Sequence, residues 1–114
     1  MINKTPEQLA QLQLDAYNSK QLQEFIDQYD DNIVVLEFPS NKVLMEGKEA
    51  FTERYRKLFL DNPDLNADLK NRTFMGNHVI DHEYLTGRAD GSTGEAIAIY
   101  EVNDTHIVKV WFIK

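Results

Sequence analysis

The chain contains no cysteine. Disulfide frameworks, thiolate zinc sites and cysteine nucleophiles are therefore excluded, and a reducing compartment, the cytoplasm, is the expected location. No stretch approaches the ~20 apolar residues of a membrane span. The start, Met1-Ile2-Asn3-Lys4-Thr5, carries neither an apolar run nor a cleavage signature, so no leader is expected. Lys and Arg number 12 against 19 Asp and Glu, are scattered, and leave a net charge of −7. Nucleic acid and anionic membranes need a basic face, so neither is an expected partner. Ser19, Ser40 and Ser92 all fall in turn-like sequence, and none lies in a G-x-S-x-G elbow. Gly87, Gly91 and Gly94 precede no helix start, so they do not make a phosphate loop. With no cofactor motif, none is expected. Asn-x-Thr patterns at Asn3, Asn71 and Asn103 read as chance without a secretion signal.

What is present suits one soluble domain over residues 1–114. A chain of 114 residues buries roughly two thirds of its unfolded surface, enough for one core without staples. Thr5-Pro6-Glu7-Gln8 is a helix start, with Thr as N-cap and Gln completing a capping box. Leu9, Leu12 and Ala16 follow at helical spacing, which predicts a helix over 6–18. A second short helix places Leu22, Phe25, Ile26 and Tyr29 on one side, and Asp30-Asp31-Asn32 reads as a turn. Strands follow over 33–38 and 43–45. Gly47 precedes a third helix over 48–60, with Phe51, Tyr55, Leu58 and Phe59 as its stripe. The remainder is β: 65–75, a Gly76-Asn77 turn, 79–86, a loop of glycines, and a closing hairpin about Asn103-Asp104. The order α-α-β-β-α-β-β-β-β predicts an α+β fold with helices packed on one face of a curved antiparallel sheet.

Several residues in this order carry a resemblance. They are Ala16-Tyr17-Asn18, Tyr29-Asp30-Asp31, Gly47, Tyr55 with Phe59, Val79-Ile80-Asp81-His82-Glu83, and Ile99-Tyr100-Glu101-Val102 through Val110-Trp111-Phe112. The chain resembles the nuclear transport factor 2-like superfamily, in its SnoaL-like and ketosteroid-isomerase-like branch. The resemblance implies a cystatin-like cone, a bent sheet wrapped around three helices, with an apolar pocket at the open end. Members include isomerases, cyclases, dehydratases, hydrolases and non-catalytic binding domains, so the fold leaves the function open. Ketosteroid isomerases use an Asp base with a Tyr and a protonated Asp as donors. Here the tyrosine position falls on Gln13, the protonated Asp near Ala98, and the base at Glu37 or Phe38. Two of the three groups are missing, and that mechanism is not expected. The pocket walls implied are Leu12, Ala16, Tyr17, Phe25, Phe38 and Tyr55, together with Phe59, Leu69, Glu83, Ala98, Val110 and Phe112.

Three carboxylates are candidates for acid–base chemistry. Asp81 and Glu83 flank His82 in an apolar strand and so share one face. Turned inward, as the family alignment has them, burial and repulsion would raise one pKa toward neutral. Turned outward, they would pair with Arg72, Lys70 or Arg88. Glu37 is a base candidate if inward and an edge charge if outward. Tyr17, Tyr55, Tyr84 and Tyr100 are possible hydroxyl donors around a pocket, Tyr17 and Tyr55 from the apolar stripes of their helices, or core aromatics with the hydroxyl tipped to water or a backbone carbonyl. His78 and His82 sit roughly 13 Å apart on a strand, too far to share an ion, so no metal is expected.

The ligand expected is a small apolar or amphipathic molecule. The reaction would be proton transfer on a carbonyl compound: isomerisation, cyclisation or dehydration. A non-catalytic binding or dimerisation module is the alternative. Ile97, Ile99, Trp111 and Ile113 share the outer face of the final hairpin if Ala96, Ala98, Val110 and Phe112 face inward. An apolar patch on a single-layer sheet predicts a homodimer through that face.

Overall fold

Local sequence sets the first helix. In the computed structural model, which describes residues 4–114, the Gln8 amide donates to Thr5 Oγ1 at 3.2 Å and the Thr5 amide to Gln8 Oε1 at 2.8 Å. Two orphan donors of the first turn are thus satisfied reciprocally. Helix α1 (Pro6–Ser19) closes on Lys20 in the left-handed conformation. It buries Leu9, Ala10, Gln13, Leu14 and Ala16. Asn3 lies outside the described residues.

Helix α2 (Leu22–Ile26) is followed by β1 (Tyr29–Glu37), β2 (Val43–Glu46) and α3 (Lys48–Asp61). Then come β3 (Asn66–Met75), β4 (His78–Thr86), β5 (Gly94–Val102) and β6 (Ile107–Ile113). The order is the one expected from sequence. The strands form one curved, unclosed sheet in the order β2-β1-β6-β5-β4-β3. Every neighbouring pair is antiparallel except β1 and β6, which run parallel.

Tyr29 and its neighbours correct the sequence reading. Asp30-Asp31-Asn32 looks like a turn, and the Asn32 amide does donate to Asp30 Oδ2 at 2.9 Å. Yet Tyr29 is already paired with Ile107, and the irregularity falls between Tyr29 and Val34 inside the ladder. The segment is a distorted strand entrance rather than a helix end and turn. Its partner lies far along the chain, and local sequence cannot announce it.

The core fills the space between helices and sheet. Phe25 is its centre, with ring centroids 4.8 Å from Tyr55, 5.1 Å from Tyr29 and 5.8 Å from Phe51. Tilted and edge contacts dominate, as the ring quadrupoles favour. Asn18 ties α1 to the sheet. Its Nδ2 donates to the Ala67 carbonyl at 3.0 Å and its Oδ1 accepts from the Ala67 amide at 2.8 Å. Lys20 Nζ adds a bond to the Leu65 carbonyl beside it. Among the described residues no helix is long and apolar enough to cross a membrane.

Candidate functional site

Alternation along β4 places Val79, Asp81, Glu83 and Leu85 on the buried side. Along β5 it does the same for Ala96, Ala98, Tyr100 and Val102. Cross-strand register then sets Glu83 opposite Ala96, and Asp81 opposite Ala98. A carboxylate facing a methyl group has space in front of it. Tyr17, Phe25, Tyr55 and Leu58 come down from the helices, and Glu83, Phe112 and Lys114 come in from the sheet side. Together they enclose a cavity of about 80 Å³.

The two inward carboxylates have different fates. Asp81 is fully buried and held by Arg72 through two bonds, Nε to Oδ1 at 2.7 Å and Nη2 to Oδ2 at 2.9 Å. This is the cross-strand pairing with Arg72 that sequence allowed, but it lies inside rather than in water. Asp81 does not line the cavity. Glu83 does line it. Burial first, then the Asp81 charge, pushes its carboxyl up to about 7, against the opposing pull of Arg72 and Lys114. Glu83 is therefore half ionised near neutral pH, where an acid–base group is most useful.

The tyrosines also divide. Tyr29 Oη donates to Gln13 Oε1 at 2.9 Å, and Gln13 Nε2 donates to Tyr100 Oη at 3.1 Å and the Ala10 carbonyl at 2.9 Å. That pair is committed to a buried network. Tyr17 and Tyr55 make no such bond among the described residues, and their rings meet edge-on at 6.5 Å. Burial raises both hydroxyls above their ordinary value, and the Glu83 charge adds to it. They stay protonated and can donate to a developing negative charge.

Other sequence candidates fall elsewhere. Glu37 is exposed at the end of β1, where Ser40 Oγ donates to it at 2.7 Å. It borders a separate recess with Phe38, Leu44, Phe112 and Lys114. Leu12 is 42% exposed, Phe38 45% and Leu69 36%, so none of these is a wall of the cavity. Leu12 lost its inward position to Gln13, whose amide finds three partners. Leu69 precedes a register irregularity in β3, and Phe38 lies beyond the end of β1. Ala16, Phe59, Ala98 and Val110 are core residues rather than lining. Gln13, Tyr100 and Lys114 also line the cavity. Sequence reasoning set Gln13 at the family's tyrosine position and took Tyr100 as a hydroxyl near the pocket; Lys114, just past β6, it passed over.

His78 and His82 each meet a separate glutamate across the ladder, Glu101 and Glu95, both at 3.1 Å. No group of three His, Asp or Glu side chains among the described residues is placed to hold a metal ion. Ile97, Ile99, Trp111 and Ile113 are half-buried and alternate with the inward residues of their strands.

A family model for the SnoaL-like domain matches residues 10–110. An uncharacterised cystatin-fold protein from Novosphingobium aromaticivorans superposes with a TM-score of 0.87 at 22% identity, over 97% of this chain and 99% of that one. A candidate SnoaL-like polyketide cyclase from Shewanella putrefaciens gives 0.77 at 10% identity, over 95% and 78%. A protein with a ketosteroid isomerase-like fold from Catenulispora acidiphila, in complex with trimethylamine, gives 0.78 at 11% identity, over 97% and 87%. At such identities the likeness is one of fold. No curated protein matches the chain.

Proposed function

The chain belongs to the SnoaL-like domain family, and from that premise we propose that it binds a small carbonyl compound and moves a proton on it, as an isomerase or cyclase does. One observation carries the reading: a carboxyl pushed up to about 7 faces a small, mostly aromatic cavity that two uncommitted tyrosine hydroxyls also line. In its ionised form Glu83 takes a proton from the carbon next to the carbonyl. The C–H electron pair becomes the enolate, and Tyr17 or Tyr55 donates a hydrogen bond to its oxygen. Glu83 then returns the proton to the same or another carbon, or the enolate carbon bonds to a second carbonyl carbon of the same molecule, whose C=O pair moves to oxygen and takes the proton from Glu83. Neither route needs a cofactor.

The cavity volume decides what fits. About 80 Å³ lies well under the ~300–1,000 Å³ of pockets for drug-sized ligands. The compound that enters is compact, with only a few non-hydrogen atoms inside the inner chamber. The same small volume favours the rival reading, a binding module without catalysis, and exchange chemistry separates the two. In deuterated water the protein should speed loss of the α-protons of a short ketone, followed by NMR. The rate should rise through a limb near pH 7, as the base form of Glu83 becomes available. Glu83→Gln should remove the enhancement while the fold is kept. Wild-type exchange no faster than the variant's would leave binding alone.

A further inference from the structure

The cavity does not open onto a neutral surface. Lys114 lines both the inner cavity and an outer chamber of about 140 Å³, where Arg88 joins it. The two chambers share Tyr17, Leu58 and Leu85 as a common wall. Arg54 and Arg88 are close enough to repel the Lys114 ammonium charge. Arg88 also acts on the Tyr17 hydroxyl, and Arg54 on Tyr55. Arg88 and Lys114 thus share one chamber, with Arg54 within electrostatic reach, in a protein whose net charge is −7.

Lys48, Lys57, Arg56 and Arg72 each meet a carboxylate within 4.0 Å. Among the described residues Arg88 and Lys114 meet none at that distance, and of the cations without such a partner they are the two that line the outer chamber; Glu83 attracts Lys114 from the inner cavity, and Arg88 Nη1 reaches Ser92 Oγ at 3.5 Å. The backbone makes room for one of them. A Cβ on Gly94 would stand 3.0 Å from an Arg88 guanidinium nitrogen, so the missing side chain lets the guanidinium lie close against β5. Unpaired cations crowded together stay unfavourable until an anion arrives, and guanidinium suits a carboxylate through its fork of donors.

We propose that the ligand is a short anionic carbonyl compound, its carboxylate held between Arg88 and Lys114 in the outer chamber and its carbonyl end placed in the inner cavity beside Glu83. This rests on the reading of the cavity as a small-molecule site and adds the charge of what enters it. The shared wall has a purpose under this arrangement. A carboxylate directly beside Glu83 would hold that group protonated and idle. Tyr17, Leu58 and Leu85 keep the two charges apart while letting the carbon chain through. The overall negative field of the protein would turn most anions away, and the basic rim supplies the one local exception.

The test compares 4-oxopentanoate with hexane-2,5-dione, which has the same shape but a methyl ketone in place of the carboxylate. Both are titrated into the full chain and followed by amide shifts in NMR. The expected result is binding of 4-oxopentanoate about tenfold tighter than the dione, with shifts at residues of both chambers. The preference should shrink as salt is raised and should fall toward unity in Arg88→Gln. Gly94→Val should weaken it too, since it displaces a flexible side-chain end rather than backbone. Equal affinity for the two compounds, with shifts at the cavity, would overturn the anionic assignment and leave the pocket standing. Failure of both compounds to move any cavity residue at millimolar concentration would overturn the assignment together with the pocket reading beneath it.

Discussion

Glu83 costs the folded protein stability at the pH where it is useful. Its carboxyl rises from an ordinary 4.5 to about 7, chiefly through burial. Between those values the folded state holds a proton that the unfolded state has lost. Stability contributed by the neutral group is therefore complete below about pH 4.5 and is lost as pH rises through about 7. A rise of this size corresponds to about 3 kcal/mol. Glutamine has the same shape and cannot ionise. Glu83→Gln should therefore match the wild type in urea at pH 4 and exceed it by about 1–3 kcal/mol at pH 8. An equal difference between the two proteins at both values would show that the group is not held neutral by the fold. Asp81 stands beside it, bound to Arg72 through two charge-assisted bonds, and its charge adds to the burial that holds Glu83 neutral.

Elements differed in how far their sequence disclosed them. Strands β4 and β5 were legible in parity, since alternation sets Asp81 with Glu83 and Ala96 with Ala98 on shared faces; which face turns inward was implied by the family resemblance alone and is set by the helices that cover it. Helix α1 was legible in extent but not in face. Hydropathy favours Leu12 over Gln13, while Tyr29 and Tyr100, distant in sequence, make the amide the better buried group. Glu37 shows the same limit at a strand end. It shares a register position with Phe112, yet it stands past the covered part of the sheet and faces water. The Asn18 clamp on Ala67 is the element-level contact that sets α1 over the cavity. Asn18→Ala would strand both backbone groups of Ala67 in a partly buried place and should cost about 2 kcal/mol. Asn18→Asp keeps the acceptor for the Ala67 amide and loses the donor, so its urea midpoint should fall between the two. A midpoint for Asn18→Ala equal to wild type would mean that water replaces the clamp at no cost.

At the scale of the molecule, one face of the sheet holds all the packing. The helices and core occupy the concave side, and the convex side is left to the strands alone. On that side Ile80, Ile99 and Trp111 stand in one cross-strand row, with Ile97 and Ile113 in the next. Ile80 is 39% exposed and the others are half-buried. Polar groups ring the patch rather than interrupt it: His78 with Glu101, His82 with Glu95, and Lys109 over the Trp111 ring at 5.6 Å. An apolar patch with a polar border is the anatomy of an interface core and rim. We propose a second copy of this chain as its occupant, because an apolar sheet face set across a two-fold axis meets the same apolar face of its partner. Light scattering should give twice the chain mass at micromolar concentration. Trp111→Glu sets a charge at the centre of the row and should halve that mass with the helix signal unchanged. Aggregation of the variant would point the same way, since the bare patch would then seek other partners. A monomeric wild type, or a dimer indifferent to the substitution, would remove the sheet face from the account. The cavity and its acid would then have to work within a single chain.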